Sequence, residues 1–271
     1  MSYWLTIINI IFWIFVFRFL RVFFLELIKP KKGSGEILKT DWKKDVVYLY
    51  QFPPNKKNPN PSPFGWKVEI YLKSNKIEHE IITSFTNRSK HGLIPFMELN
   101  GEQYADSQYV LIFLEEYFNL KKESSLEASE SRLIDRMTDT RVFACANIDR
   151  ICFHPFEMAE IMMDGKFPNM LKYIFGPILK RKVMERLIHD GIGRLSKNEI
   201  FEIYEKDLAA IETYLQSRKP SGGLNRTEAC IFGHLAVVLC CPYEIKGKEL
   251  IETRFPTIKD FVTSNLKRYY D

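Results

Sequence analysis

The chain has 271 residues, 46% of them hydrophobic and 14% aromatic, which is enough apolar material for one large domain or two small ones and too much for a disordered protein. The net charge is +5, and residues 1–44, with eight Lys/Arg against three Asp/Glu, account for all of it. The remaining body is neutral, which argues against a nucleic-acid partner, because that needs basic charge on the folded surface.

From Tyr3 to Phe17 the sequence YWLTIINIIFWIFVF carries no charge, and FLRVFFLELI continues the apolar run from Phe19 to Ile28. Fifteen helical residues rise about 22 Å, short of a hydrocarbon core of about 30 Å. Arg18 and Arg21 can snorkel towards headgroups and lengthen the usable span, and Trp4 and Trp13 suit an interface. A cleaved signal peptide would want a basic start and a small-x-small cleavage site; the first Arg is at 18 and large residues fill 19–28. The expectation is a membrane anchor over 1–28, with a helix lying in the interface as the alternative. Basic residues at Arg18, Arg21, Lys29, Lys31 and Lys32 place the globular part on the cytoplasmic side by the positive-inside rule, with the organelle left open. Residues 29–44, with Pro30 and Gly33-Ser34-Gly35, read as a linker.

In residues 45–120, Val46–Phe52 is β-branched and aromatic and reads as a strand ended by Pro53-Pro54. A loop with Pro59, Pro61 and Pro63 leads into a helix over 64–74, whose Phe64, Val68, Tyr71 and Leu72 share a face. Glu78–Phe85 reads as a second strand, so the order is a βαβ unit with a parallel pair. Asn100-Gly101 between short apolar runs signals a hairpin, and Asp106-Ser107 is a natural N-cap for a helix carrying Val110, Leu111 and Leu114.

Residues 121–271 read as all-helical after a charged connector at 121–130. Ile134, Met137, Arg141, Cys145, Ile148 and Cys152 recur at helical spacing, as do Tyr204, Leu208, Ile211 and Leu215. Asn225–Cys241 is almost entirely apolar beyond its first turn and reads as a central buried helix, with Asn225 and Glu228 at capping-box spacing. The Met-, Phe- and Pro-rich stretch 153–188 suits an apolar substrate wall, a dimer contact or a cover for the core. All five cysteines lie in this half with no Cys-x-x-Cys pair, which suits buried thiols in a reducing compartment. Cys240-Cys241 is the one pair that a soft metal ion would suit, against a plain buried reading. No metal-ligand spacing appears among the histidines, so no metal site is expected, and His234 reads as a hydrogen-bonded core residue.

Two stretches, Ile94-Pro95 through Asp106-Ser107 and Glu228-Ala229-Cys230-Ile231-Phe232-Gly233-His234-Leu235-Ala236, resemble the glutathione transferase superfamily. The resemblance covers everything after the linker and is closest to the branch of failed axon connections proteins, metaxins and nematode cadmium-responsive proteins. It implies an α/β thioredoxin-like N-terminal domain followed by an all-α C-terminal domain. It also implies a cis Pro95, an Ile94 backbone that meets the cysteinyl part of glutathione, and Asp106-Ser107 as the γ-glutamyl site. A helix N-terminus with a hydroxyl suits a carboxylate, and Asp106 suits the ammonium group. Ser62-Pro63-Phe64-Gly65 stands where some relatives carry Cys-Pro-Phe-Cys, which makes Ser62 the candidate thiolate donor and Tyr50 the second candidate. The plainer readings are Ser62 as a turn residue, Tyr50 as core and Asp106-Ser107 as an ordinary cap. With no cysteine before Cys145, disulfide chemistry in the first half is excluded. The implied functions are glutathione conjugation of small electrophiles or a metal or oxidative stress role, or else a non-catalytic, metaxin-like interaction protein at a membrane. A homodimer and a membrane-protein partner are both compatible associations.

Overall fold

The computed structural model describes residues 3–28, 33–54, 59–120, 124–163, 165, 168–218 and 222–270, with only the backbone over 19–28. Helix α1 spans Tyr3–Ile28, and nearly all its described side chains face outward, Trp4 being 73% exposed. Among the described residues no helix is long and apolar enough to cross a membrane. The expected spanning anchor is therefore not borne out as a span, because the charge-free stretch ends at Arg18. Lys29 to Lys32, part of the expected linker and of its basic flank, lie outside the described residues.

Residues 33–44 are not free chain. They form a strap held by Gly33 N donating to Ser89 O at 3.2 Å and by Lys43 N donating to the Tyr48 hydroxyl at 2.9 Å. The Leu38 and Lys39 amides each donate to the Glu98 carboxylate at 2.9 Å, and the Tyr50 hydroxyl donates to it at 3.0 Å. A carboxylate as buried as Glu98 is tolerated because these three donors meet it.

β1 (Val47–Gln51), α2 (Pro63–Ser74) and β2 (His79–Thr83) form the expected βαβ unit, with Val47 opposite His79 in a parallel pair. β3 (Phe96–Leu99) runs antiparallel to β1, and β4 (Glu102–Ala105) antiparallel to β3, so the sheet order is β2-β1-β3-β4. The Asn100-Gly101 turn has φ of 51° and 80°, the double positive φ of a primed two-residue hairpin. Strand alternation sorts the side chains. Val47, Leu49, Met97 and Leu99 face a core shared with α2, α3 (Ser107–Tyr117) and the helical half, while Val46, Tyr48, Tyr50 and Phe96 form a smaller cluster on the other face.

The second half is helical as expected. α4 (Ser125–Met137) begins inside the expected connector, because Ser124 and Glu127 close a capping box. It continues through a π-helical turn at Thr138–Val142, α5 (Phe143–Asn147) and a second π turn at Ile148–Cys152. Each π turn adds a residue to the helical repeat, so the six-residue face read from the sequence is rotated: Cys145, Ile148 and Cys152 are buried but Arg141 is exposed. Then follow α6 (Pro155–Met163), α7 (Lys172–His189), α8 (Lys197–Ser217), α9 (Arg226–Leu239), α10 (Lys246–Arg254) and α11 (Pro256–Tyr270). α8 buries all four expected positions, and α9 is buried from Thr227 to Val238, with the Asn225–Glu228 capping box formed. All five cysteines are free thiols, and burial pushes Cys145 up to about 12 and Cys152 and Cys240 up to about 11.

α9 packs directly on α2. At Gly233 a side chain would meet the Pro63 carbonyl oxygen, with Lys67 N at 2.7 Å and Lys67 Cα at 2.9 Å. Only a residue without Cβ allows this approach, which fixes the helical half against the start of α2.

Candidate functional site

The strand register brings the expected site residues together. Tyr50 at the C-terminal end of β1 pairs with Phe96, and Phe96 pairs with Ala105. The segment into α2, the Ile94-Pro95 bond before β3 and the Asp106-Ser107 start of α3 thus all emerge at one end of the sheet. The Ile94-Pro95 peptide is cis, as the resemblance implied.

Ser62 is the N-cap of α2. Its backbone is extended and its Oγ accepts the Gly65 amide at 3.4 Å, while Pro63 follows at a position that needs no amide hydrogen. Capping uses Oγ only as an acceptor, so the hydroxyl proton keeps its donor role. Behind Ser62 stands a buried amide relay. Ser62 N donates to Asn60 Oδ1 at 3.0 Å, Asn60 Nδ2 to Gln51 Oε1 at 3.0 Å, and Gln51 Nε2 to Glu69 Oε2 at 2.7 Å. A Cβ on Gly65 would come within 2.9 Å of Asn60 Nδ2 and 3.0 Å of Gln51 Oε1, so the glycine is what lets the relay close. Part of the preceding loop, 55–58, lies outside the described residues.

Tyr50, the second candidate, points elsewhere. It is 1% exposed, lies on the outer face of the sheet, stacks on Phe96 at 4.5 Å and donates to Glu98, while burial and the Glu98 charge drive its hydroxyl pKa well up. It is core. The period-2 alternation of β1 puts it on the opposite face from Val47 and Leu49.

Asp106 caps α3 with φ of 73°, and its Oδ1 accepts Gln108 N at 2.9 Å and Tyr109 N at 3.3 Å. Ser107, the first helical residue, is buried with its amide at the positive end of α3. Beside it a cleft of about 410 Å³ is lined by Asp106, Gln108, Tyr109, Arg132, Arg136 and Arg226, among others. The arrangement suits a small zwitterion, with a carboxylate drawn to the helix end and arginines and an ammonium to Asp106.

One cluster was not foreseen. Lys67, fully buried on α2, donates to Gln108 Oε1 at 2.6 Å and to Asp139 Oδ2 at 2.7 Å, and Gln108 Nε2 donates to Asp135 Oδ2 at 2.9 Å. Cys230 Sγ donates to Asp139 Oδ1 at 3.2 Å, and His234 Nε2 lies 3.6 Å from the same oxygen. Burial opposes ionisation at Asp139 and Lys67, yet their attraction for each other holds Asp139 below, and Lys67 above, its ordinary pKa. Burial pushes the Cys230 thiol far up and His234 down to about 4. A lysine amid Phe64, Trp66, Val68 and Ile70 was the available signal in the sequence. Next to the cluster, a second cleft of about 630 Å³ is lined by Asp139, Phe143, Lys182, Arg186, Leu187 and Asp190, among others. From the stretch 153–188, left open between a substrate wall, a dimer contact and a core cover, Lys182, Val183, Arg186 and Leu187 give this cleft a mixed, charged wall.

Residues 63–155 match the glutathione S-transferase N-terminal domain family. That stretch of the chain is similar to a glutathione transferase N-terminal domain. The chain is 38% identical over 102 residues to failed axon connections of Drosophila melanogaster, a match spanning 37% of this chain and 24% of that relative. It is 20% identical over 243 residues to isoprene-epoxide–glutathione S-transferase of Rhodococcus, covering 83% of this chain and 99% of that one. A glutathione transferase structure from Phanerochaete chrysosporium superposes with a TM-score of 0.58 at 11% identity, over 84% of this chain and 98% of that one. At that identity the superposition speaks for the fold. The thioredoxin-like domain and helical domain of this glutathione-transferase-like chain therefore stand as the resemblance implied. Its family match runs past residue 120 and includes Asp139.

Proposed function

We propose that the chain binds glutathione at the sheet end formed by Ser62, Ile94-Pro95 and Asp106-Ser107, and conjugates it to a small electrophile. The observation that carries this reading is the register that gathers these three segments at one end of the sheet, with the Ser107 amide at the start of α3 and arginines beside Asp106. The γ-glutamyl carboxylate goes to the Ser107 amide and hydroxyl, its ammonium to Asp106, and the cysteinyl backbone to Ile94. The Ser62 hydroxyl donates to the sulfur and favours the thiolate, whose proton passes to solvent. The thiolate then forms the carbon–sulfur bond as a leaving group departs, or as an epoxide oxygen opens and takes up a proton.

We also propose that α1 associates with a membrane and holds the globular part on the cytoplasmic side. Its exposed apolar residues Tyr3, Trp4, Ile8, Phe12 and Phe15 support this, together with the basic residues that follow them.

Conjugation rates with an activated aryl halide and an epoxide, against pH, test the reading. Ser62→Ala should raise the apparent pKa of the bound thiol, each unit corresponding to about a tenfold loss of thiolate below that pKa. An active protein whose pH profile Ser62→Ala leaves unchanged removes Ser62 from the chemistry. Glutathione-independent capture of a membrane-bound protein by an inactive chain would favour the metaxin-like reading.

A further inference from the structure

We propose that Asp139, Cys230 and His234 form a binding site for one borderline-soft divalent cation, such as zinc, in the helical half of the molecule. The proposal is independent of glutathione binding.

The imidazole geometry leads to it. His234 Nδ1 lies 2.9 Å from the Cys230 carbonyl oxygen. A carbonyl can only accept, so Nδ1 carries the proton and Nε2 a lone pair. That Nε2 is buried without a hydrogen-bond partner in a side chain 1% exposed, and it lies 3.6 Å from Asp139 Oδ1. Nε2 is thus a buried lone pair that needs a positive partner, beside an Asp139 Oδ1 that accepts from Lys67 Nζ at 3.0 Å and from Cys230. The ring cannot turn away freely, because Phe64 and Phe143 meet it edge-on at 5.2 and 5.9 Å.

Cys230 Sγ completes the set. It lies 3.2 Å from Asp139 Oδ1, and one ligand atom from each of the three residues lies within 4.8 Å of the other two. Around a tetrahedral zinc, bond lengths of about 2.0–2.3 Å place ligand atoms about 3.4–3.6 Å apart. Cys230 and His234 are one turn apart on α9, while Asp139 lies on the first π turn, a helix defect that recurs at functional sites. A Cys, a His and a carboxylate suit zinc and disfavour magnesium or calcium.

The charges also fit. The ion displaces the Cys230 proton to solvent. Asp135, Asp139 and the Cys230 thiolate then balance Lys67 and the divalent ion, leaving a neutral interior. Asp139 also lines the cleft of about 630 Å³, which gives an ion access and leaves a fourth position for water or a substrate atom. Sequence spacing hides the site because Asp139 and Cys230 are 91 residues apart.

The test uses the full chain, stripped with chelator under reducing conditions and titrated with Co²⁺ and Zn²⁺. We expect one equivalent bound, with a thiolate-to-cobalt charge-transfer band that Cys230→Ser abolishes and Cys240→Ser/Cys241→Ser retains. Cys230→Ser and His234→Gln should each weaken zinc by about 100-fold or more, at least the largest loss seen on removing mere supporting contacts to ligands. X-ray absorption of the zinc-loaded parent protein reads the site even if these variants misfold, and we expect a single sulfur at about 2.3 Å. No binding, two sulfurs around the ion, or a band lost only in Cys240→Ser/Cys241→Ser would overturn the proposal.

Discussion

Replacing Gly233 with alanine tests how the helical half is docked on the site. The added Cβ would press on three backbone atoms of α2, the Pro63 carbonyl oxygen, Lys67 N and Lys67 Cα. No rotamer change relieves a backbone contact, so α2 and α9 must separate. Overpacking of this kind costs about 1–3 kcal/mol, and the better helix propensity of alanine returns about 0.5–1 kcal/mol. Because every contact is with backbone, we expect a net loss of about 1–2 kcal/mol, a fall in Tm of about 2–8 °C for a chain of this size. Pro63 follows the Ser62 N-cap directly, so glutathione affinity or turnover should fall with stability. Scanning calorimetry with glutathione titration measures both. Gly222→Ala is the control, since a Cβ there has nothing within 4 Å. A Gly233→Ala protein as stable as its parent would refute the close docking of α9 on α2.

Other consequences follow from buried charge and from the strap. Lys67→Met strands the Asp139 carboxylate and should cost about 3–5 kcal/mol in urea denaturation, as removal of one partner of a buried pair does; a loss below about 1 kcal/mol would contradict the pairing. Asp149, which accepts the Gly247 amide at 2.7 Å, has its pKa raised by burial against the pull of that bond. A raised carboxyl pKa favours the fold while protonated, and this contribution fades as pH rises through the folded value. Asp149→Asn keeps an acceptor without the charge, so it should be more stable than the parent near neutrality, with the gap closing towards about pH 4, the unfolded value. Equal melting at neutral pH would count against it. A chain beginning at residue 33 should match the full chain in stability, whereas one beginning at residue 45 leaves Glu98 two amide donors short and should lose about 2 kcal/mol or more. Comparable melting of the two would show that the strap contributes nothing.

Local chemistry made much of the fold legible. Asn100-Gly101, the Asn225–Glu228 capping box and the α8 spacing each depend on residues within a turn or two, and all appear as read. Asp106 was also legible as a cap, because an N-cap is a local device, whereas Ser62, whose plainer reading was a turn residue, caps α2. The failures are long-range or cumulative. Two π turns moved Arg141 off the buried face, and no residue in the segment marks a π insertion. Glu98 depends on a strap about 60 residues away in sequence, and the Lys67–Asp139 pair spans 72. For Tyr50, the second candidate, the plainer reading as core holds, because strand alternation turns it to the other face.

Calorimetric titration of reduced glutathione into the full chain in detergent is the most direct measurement, alongside Asp106→Asn and Ser107→Ala. Asn keeps the helix cap and tolerates the positive φ while removing the charge that would meet the ammonium group. We expect one site per chain, weakened about tenfold by the loss of a single ion pair worth about 1.4 kcal/mol. A folded protein that takes up no glutathione, or binds it equally in all three forms, would contradict the site at Asp106-Ser107.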